Sequence, residues 1–428
     1  MNHFVSKIWH STAARNVGKL LSANIIAQAI GLLVYPILTR LYSPEDFGVL
    51  NLFSSIAGVL ILISTLEWYN AIVLPKEERE GRALVHLSLV CIAIVTLLIA
   101  LTIPWAGPIA EIFHSPDLAR YYWLLPIYVA MMGVWNVLNY WYIRQKEYGY
   151  ISGYQISQTL FSAGFKVGFG LIPLVGGLVY ATILSPLCAL IVFILLSAKL
   201  IAPLLSEWDW QNCKKSAKKY SNFPKYSTPR VVLNNIAGQL PVLVLTPLFG
   251  NKLVGFWGMA IMLAFVPISI VTRALYQVLY QQTTEKVNNS LSVRAYYQHF
   301  TWWTLAVIIP VFCLLWWVLP ELAAWLLGDE WRTVGIYIRW MLPWLTVATL
   351  VLSTGFIPDI FGKQKMEFVF EIFMALARAA GVILGIWKND FLIAIAGYSI
   401  GSAIVSGARY VWQLSLIRRY EQSLEQAA

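Results

Sequence analysis

Runs of about twenty apolar residues, each long enough to cross a bilayer as a helix, recur about twelve times along this 428-residue chain. They fall near 17–39, 47–66, 83–105, 121–143, 153–173, 177–198, 231–250, 254–275, 300–320, 335–358, 366–387 and 391–412. Only 12% of the residues are charged, about half the share usual in soluble domains, and 59% are hydrophobic. A water-soluble core of this length cannot hide that much apolar surface, so the reading is an all-α polytopic membrane protein. The first run follows Lys7, Arg15 and Lys19 and lacks a small-x-small exit site, so it is expected to remain as the first helix. Cys91, Cys188, Cys213 and Cys313 form no CxxC pair and read as small core residues.

An even number of spans places both termini on one side, and the basic residues choose that side. Of the 31 lysines and arginines, 23 fall on the terminal side and six (Arg40, Arg120, Lys252, Arg332, Arg339 and Lys388) on the other, with Lys166 and Arg378 inside spans. The positive-inside rule then predicts cytoplasmic termini. The net charge of +10 is therefore a topology signal, and membrane lipids rather than nucleic acid are the expected surroundings. The longest polar stretch, about 199–230, holds Lys214, Lys215, Lys218 and Lys219 beside Trp208 and Trp210. It reads either as a solvated basic loop or as an amphipathic helix on anionic headgroups.

The two halves resemble each other. Asn24-Ile-Ile-Ala-Gln28 matches Asn235-Ile-Ala-Gly-Gln239, and Pro36 matches Pro247 at the same 211-residue offset. Leu125-Pro126 and Leu342-Pro343 each open a span that ends at a basic turn, Arg144-Gln145-Lys146 and Lys363-Gln364-Lys365. The expected organisation is a six-helix lobe over 1–200, a cytoplasmic basic linker over 201–229 and a second six-helix lobe over 230–428. Copies with an even number of spans insert in the same orientation, so two pseudo-symmetric lobes with a cleft between them are expected. Rocking such lobes exposes the cleft to each side in turn.

The segment Thr39-Arg40-Leu41-Tyr42-Ser43-Pro44-Glu45-Asp46-Phe47-Gly48 resembles the signature turn of the polysaccharide transporter family, which includes the Wzx O-antigen flippases. That family belongs to the multidrug/oligosaccharidyl-lipid/polysaccharide (MOP) exporter superfamily. Gly255-Phe-Trp-Gly-Met-Ala260 and Gly328-Asp-Glu-Trp331 are similar to it as well, and the resemblance covers nearly the whole chain. It implies a V-shaped, MATE-like transporter that moves undecaprenyl-diphosphate-linked oligosaccharide outward. It also implies work beside a polysaccharide polymerase and a chain-length regulator. Locally, Pro44, Glu45 and Asp46 suit a helix N-terminus, and Arg40 is placed to pair with either acid.

Charges inside spans are costly and usually face a partner or a water-filled cavity. Lys166 shares a helical face with Gln155, Thr159 and Ser162, which either lines a cavity or hydrogen-bonds between helices with Lys166 paired to a buried acid. Asn24 and Gln28 on span one, with Gly31 and Tyr35, and Asn235 and Gln239 on span seven are candidate sugar contacts, since amides both donate and accept. The resemblance places spans one and seven at the inter-lobe cleft. Arg273, in register with Ser269 and Gln277, suits a diphosphate or a cytoplasmic anchor. Glu367, Glu371 and Arg378 lie along one stripe, which favours an internal ion pair, and Arg378 remains a candidate cargo contact. Glu67 and Glu371 are candidates for proton or sodium coupling.

The histidines are His3, His10, His86, His114 and His299, and no HExxH, nucleophile elbow or Gly-rich phosphate loop accompanies them. No catalytic residue, metal ligand or bound cofactor is expected, and energy would come from an ion or cargo gradient. The leading expectation is a lipid-linked oligosaccharide flippase. Its rivals are a cation-coupled multidrug exporter, whose cleft would be acidic, and a membrane glycan polymerase or ligase, which would carry a large periplasmic loop.

Overall fold

A computed structural model of the chain describes residues 12–172, 174–206 and 208–427. Lys7, His3 and His10 lie outside the described residues. All elements among those residues are helical. The long ones are α1 (Thr12–Leu41), α2 (Pro44–Thr65), α3 (Glu78–Leu101), α4 (Leu125–Arg144), α5 (Tyr148–Leu171), α6 (Gly177–Leu196), α7 (Trp210–Lys219), α8 (Thr228–Asn288), α9 (Arg294–Leu327), α10 (Arg332–Ser353), α11 (Gln364–Lys388) and α12 (Phe391–Ala427).

Ten helices among the described residues are long and apolar enough to cross a membrane. The two that complete the expected twelve have physical explanations. First, α8 counts once but is broken at Gly250, whose φ of 81° and ψ of 170° are non-helical. Its 61 residues would extend about 90 Å unbroken, three bilayer cores, so the break makes two legs of one element. Second, α5 has the length to span but stands outside the ten, and it is the helix that carries Gln155, Thr159, Ser162 and Lys166.

Contacts divide the chain into two compact units, residues 1–239 and 240–428. In the first unit α1 packs along α5, α5 along α6, and α3 along both α2 and α4. The turn between α1 and α2 is only Tyr42 and Ser43. Ser43 Oγ accepts from the Asp46 N–H at 3.2 Å, and the Asp46 carboxylate accepts from the Ser43 N–H at 3.0 Å. This reciprocal capping box engages Asp46 with Ser43 and fixes the angle at which α2 begins. Leu66 and Glu67 end α2 in the left-handed region, with φ of 47° and 60°.

Arg144, read from sequence as an orientation charge, also donates to the carbonyls of Ile72, Pro75 and Glu77 at 2.8–2.9 Å and pins the loop before α3. The polar stretch after α6 is helical and docked rather than a solvated loop. Ala198–Ser206 is followed by α7, which lies against α3 with Cys213 and Ser216 buried. Asp209 caps α7 by accepting from the N–H groups of Gln211 and Asn212. The Asn212 N–H and the Arg79 guanidinium hold its carboxyl below the usual range. The cap therefore persists at neutral pH and is lost only as pH falls through that lowered value.

In the second unit α11 packs against α12, α12 against α10, and α10 against α9. Leu279, Val293, Tyr297, Phe356, Ile357, Leu416 and Ile417 form one buried cluster. Glu421 near the end of α12 accepts from the N–H groups of Val293 and Arg294 at 2.7 and 3.0 Å, which caps the start of α9. The α11–α12 seam is made of small residues. A Cβ on Gly381 would fall on the backbone of Gly397 and Tyr398, and one on Gly385 would fall on Ala394. Close backbone approach of this kind is how helices associate where lipid removes the hydrophobic drive.

Gly381→Val is accordingly expected to destabilise the protein by about 1–3 kcal/mol, the usual range for overpacking. Gly407→Val, at an α12 position with open space, should be nearly neutral. Thermal midpoints of the two variants in detergent compare them directly, and equal midpoints would remove the seam's structural importance.

Candidate functional site

In the first unit, Lys166 is half-buried on the last third of α5, and no acid among the described residues lies within ion-pair distance of it. The alternative of a lysine paired to a buried acid is therefore not what the structure holds. Tyr42 reaches across from the α1–α2 turn and donates to the Lys166 backbone carbonyl at 2.7 Å. The same Tyr42 ring packs where Gly170 and Gly177 leave no room for a Cβ. A tyrosine of the signature turn thus fixes the turn of α5 that carries the lysine. One step back along the stripe, Thr159 bonds to the Gln155 carbonyl at 2.9 Å, and Gln155 Oε1 is buried without a hydrogen-bond partner among the described residues.

Asn24 and Gln28 are half-buried on α1, and both are engaged in interactions. Their repeat counterparts sit at the start of α8. Gln239 accepts from Ser55 of α2 at 3.1 Å. Asn235 lies beside Gly58 of α2, and its Oδ1 is buried without a partner among the described residues. Glu67 is only 3% exposed. Its carboxylate accepts from Tyr69 at 2.9 Å, from the Asn70 amide and from Ser227 at 3.4 Å. All three donors are neutral.

In the second unit the charged stripe of α11 is paired differently from the pattern its spacing suggests. Glu367 and Glu371 both bind Arg409 of α12, the latter at 3.0 Å. Arg378 is separate from them. It donates to Ser402 at 3.2 Å and lies over the rings of Trp344 and Tyr398 at 5.4 and 5.1 Å. A delocalised guanidinium suits such an aromatic cage. The acids and the arginine on α11 are two turns apart, so neighbours on α12 and α10 reach each group before they reach one another. Arg273 is exposed on the second leg of α8 and forms no ion pair among the described residues.

Sequence reading took Arg409 for an orientation charge and missed Ser402. A signal was present: Ser399, Ser402, Ser406, Arg409 and Gln413 recur at three- and four-residue steps, a polar face on α12. The four uncharged members are buried, and Gln413 accepts from Thr354 at 2.8 Å.

The fold is shared with solved transporters of the MOP superfamily. An inward-facing multidrug resistance MATE family transporter of that superfamily matches with a TM-score of 0.70 over 92% of this chain and 96% of its own, at 15% identity. Its outward-facing counterpart gives 0.60 over 95% and 96%, also at 15% identity. A MOP superfamily transporter from Pyrococcus furiosus Vc1 (DSM3638) gives 0.59 over 95% and 96%, again at 15% identity. Within this class the family is set by sequence: the model described as polysaccharide biosynthesis protein matches residues 37–335, and the chain belongs to that family. No curated protein matches the sequence. With ten helices among its described residues long and apolar enough to cross a membrane, the chain is built as a multi-pass membrane protein.

Proposed function

We propose that this transporter flips undecaprenyl-diphosphate-linked oligosaccharide, an O-antigen or related surface-polysaccharide repeat unit, across the bacterial inner membrane. The movement runs from the cytoplasmic to the periplasmic leaflet by alternating access, with both termini in the cytoplasm. Lys166 carries this reading: a half-buried cation on a polar helix face, with no acid among the described residues beside it, suits the diphosphate of an anionic lipid carrier. Membership of the polysaccharide family supports a saccharide cargo. The acids of α11 are bound by Arg409 and offer no open anionic site. Asn24, Gln28, Asn235 and Gln239 would contact sugar hydroxyls, and Arg273 and Arg378 would add positive charge. For ion coupling, Glu67 is the stronger candidate, because its donors are neutral while Glu371 is bound to an arginine. A polymerase and a chain-length regulator would take up the product.

The test is the pool of lipid-linked intermediates in a strain lacking the gene. Undecaprenyl-diphosphate oligosaccharide should accumulate on the cytoplasmic leaflet while surface glycan is lost. Accumulation on the periplasmic leaflet would indicate a later polymerase or ligase step. An unchanged pool would return the reading to drug export.

A further inference from the structure

The second leg of α8, the first half of α9 and Thr349 of α10 enclose an apolar crevice of about 370 Å³ that the transport reading leaves unused. All of it lies in the second unit. Leu279, Thr304 and Thr349 form its buried floor, and Val271, Val278, Trp303 and Val307 are exposed along its rim. The crevice is therefore a trough, open along one side.

The trough follows the helices. Its lining runs from Val271 to Leu279 on α8 and from Tyr296 to Ile308 on α9, about 12 and 18 Å along the two axes. Half the hydrocarbon core of a bilayer is about 15 Å deep. The trough is thus one leaflet long. One end is polar: Tyr296 and His299 precede the apolar run that begins near 300, and the Lys286 ammonium lies 5.5 Å from the centre of the Tyr296 ring. The other end, at Val271, Val307 and Ile308, falls within the apolar runs of both helices.

The lining chemistry says what fits. A drug-sized ligand is oriented by several convergent polar groups. Of the two hydroxyls on the floor, Thr349 already donates to the Leu345 carbonyl at 2.8 Å, and one further threonine cannot supply such a set. An extended hydrocarbon chain needs none. Within lipid its gain is close packing rather than removal from water, and a floor of fixed side chains supplies that along its whole length.

We propose that this trough is a binding site for one acyl chain of a bilayer phospholipid. The ester end sits beside Tyr296 and His299, and the terminal carbons lie at Val307 and Ile308. The site needs no cargo, so it stands apart from the transport reading.

The full-length protein in detergent, titrated with phosphatidylethanolamine carrying a photoreactive diazirine at the start or at the end of one acyl chain, tests it. Labelled residues are mapped by mass spectrometry. Labelling should saturate at one probe per protein, with the ester-end probe on Tyr296 and His299 and the chain-end probe on Val307 and Ile308. Val307→Trp, at an exposed rim position, should fill the trough and cut labelling about tenfold, the loss of roughly ten carbon–carbon contacts. Val311→Trp, also exposed but one turn beyond the trough, should leave labelling unchanged. Both variants should keep the wild-type thermal midpoint. Labelling that never saturates, or that spreads equally over Val311 and Leu314, would mark ordinary lipid contact and overturn the proposal. So would displacement of the probe by undecaprenyl phosphate but not by unlabelled phospholipid, which would make the trough a seat for a polyprenyl tail.

Discussion

Lys166→Ala is expected to lower surface-glycan export at least tenfold while the protein is present in the membrane at normal levels. A lysine inside a membrane span costs up to about 2.5–3.5 kcal/mol at the helix centre and less toward the ends, unless something offsets it. No acid among the described residues does so for Lys166. Removing the charge should therefore leave the thermal midpoint unchanged or raised, which separates a transport defect from a folding defect. Lys166→Arg should keep much of the activity, because a guanidinium also binds diphosphate, and Lys166→Glu should abolish it. Tyr42→Phe should fall between, since it removes the bond that holds the Lys166 carbonyl and leaves the charge in place. Full export by Lys166→Ala at normal expression would sink the cationic-site mechanism.

Arg409→Leu should produce the largest loss of stability among single substitutions in the second unit. Arg409 is bound by Glu367 and Glu371, and its side chain is only 17% exposed. Removing one partner of a buried pair costs about 3–5 kcal/mol, because the remaining charge is stranded. The lower end is expected here, since Glu371 is 36% exposed. The combined variant Arg409→Leu, Glu367→Gln, Glu371→Gln strands no charge and should recover most of the loss. Protein level and thermal midpoint in detergent measure both. If the single variant matches wild type, the three residues are not a structural unit, and Glu371 becomes available again as a coupling acid.

The helices were legible in the sequence because twenty apolar residues in a row leave few alternatives. The fifth span was legible only as a length, since its polar stripe dilutes the apolar signal that marks the others. The break at Gly250 was legible as well, because the seventh apolar run ends at 250 and the eighth begins at 254. Individual side chains were legible where the partner is local. Ser43 and Asp46 are three residues apart, and the helix start they form follows from Pro44 and its acidic neighbours. Partners distant in sequence were not legible. Glu367 and Arg409 are 42 positions apart, Tyr42 and Lys166 are 124 apart, and no periodicity within one helix connects either pair. The basic stretch before α8 left a loop and an amphipathic helix both open, and it is helical with Cys213 and Ser216 buried against α3.

The pairing of α11 with α12 also bears on how the chain is made. Helix α11 emerges from the ribosome with Glu367 and Glu371, whose shared partner Arg409 lies on α12, while Arg378 can already meet Trp344 of α10. Taken alone it is a poor substrate for release into lipid. The connection is short, with Asn389 in the left-handed region and Asp390 capping α12 through the N–H groups of Leu392 and Ile393. Arg409 and the glycine seam can therefore engage as soon as the second helix is complete. The last two helices described would then leave the insertion machinery as one hairpin, the later one supplying the cation that the acids of the earlier one lack.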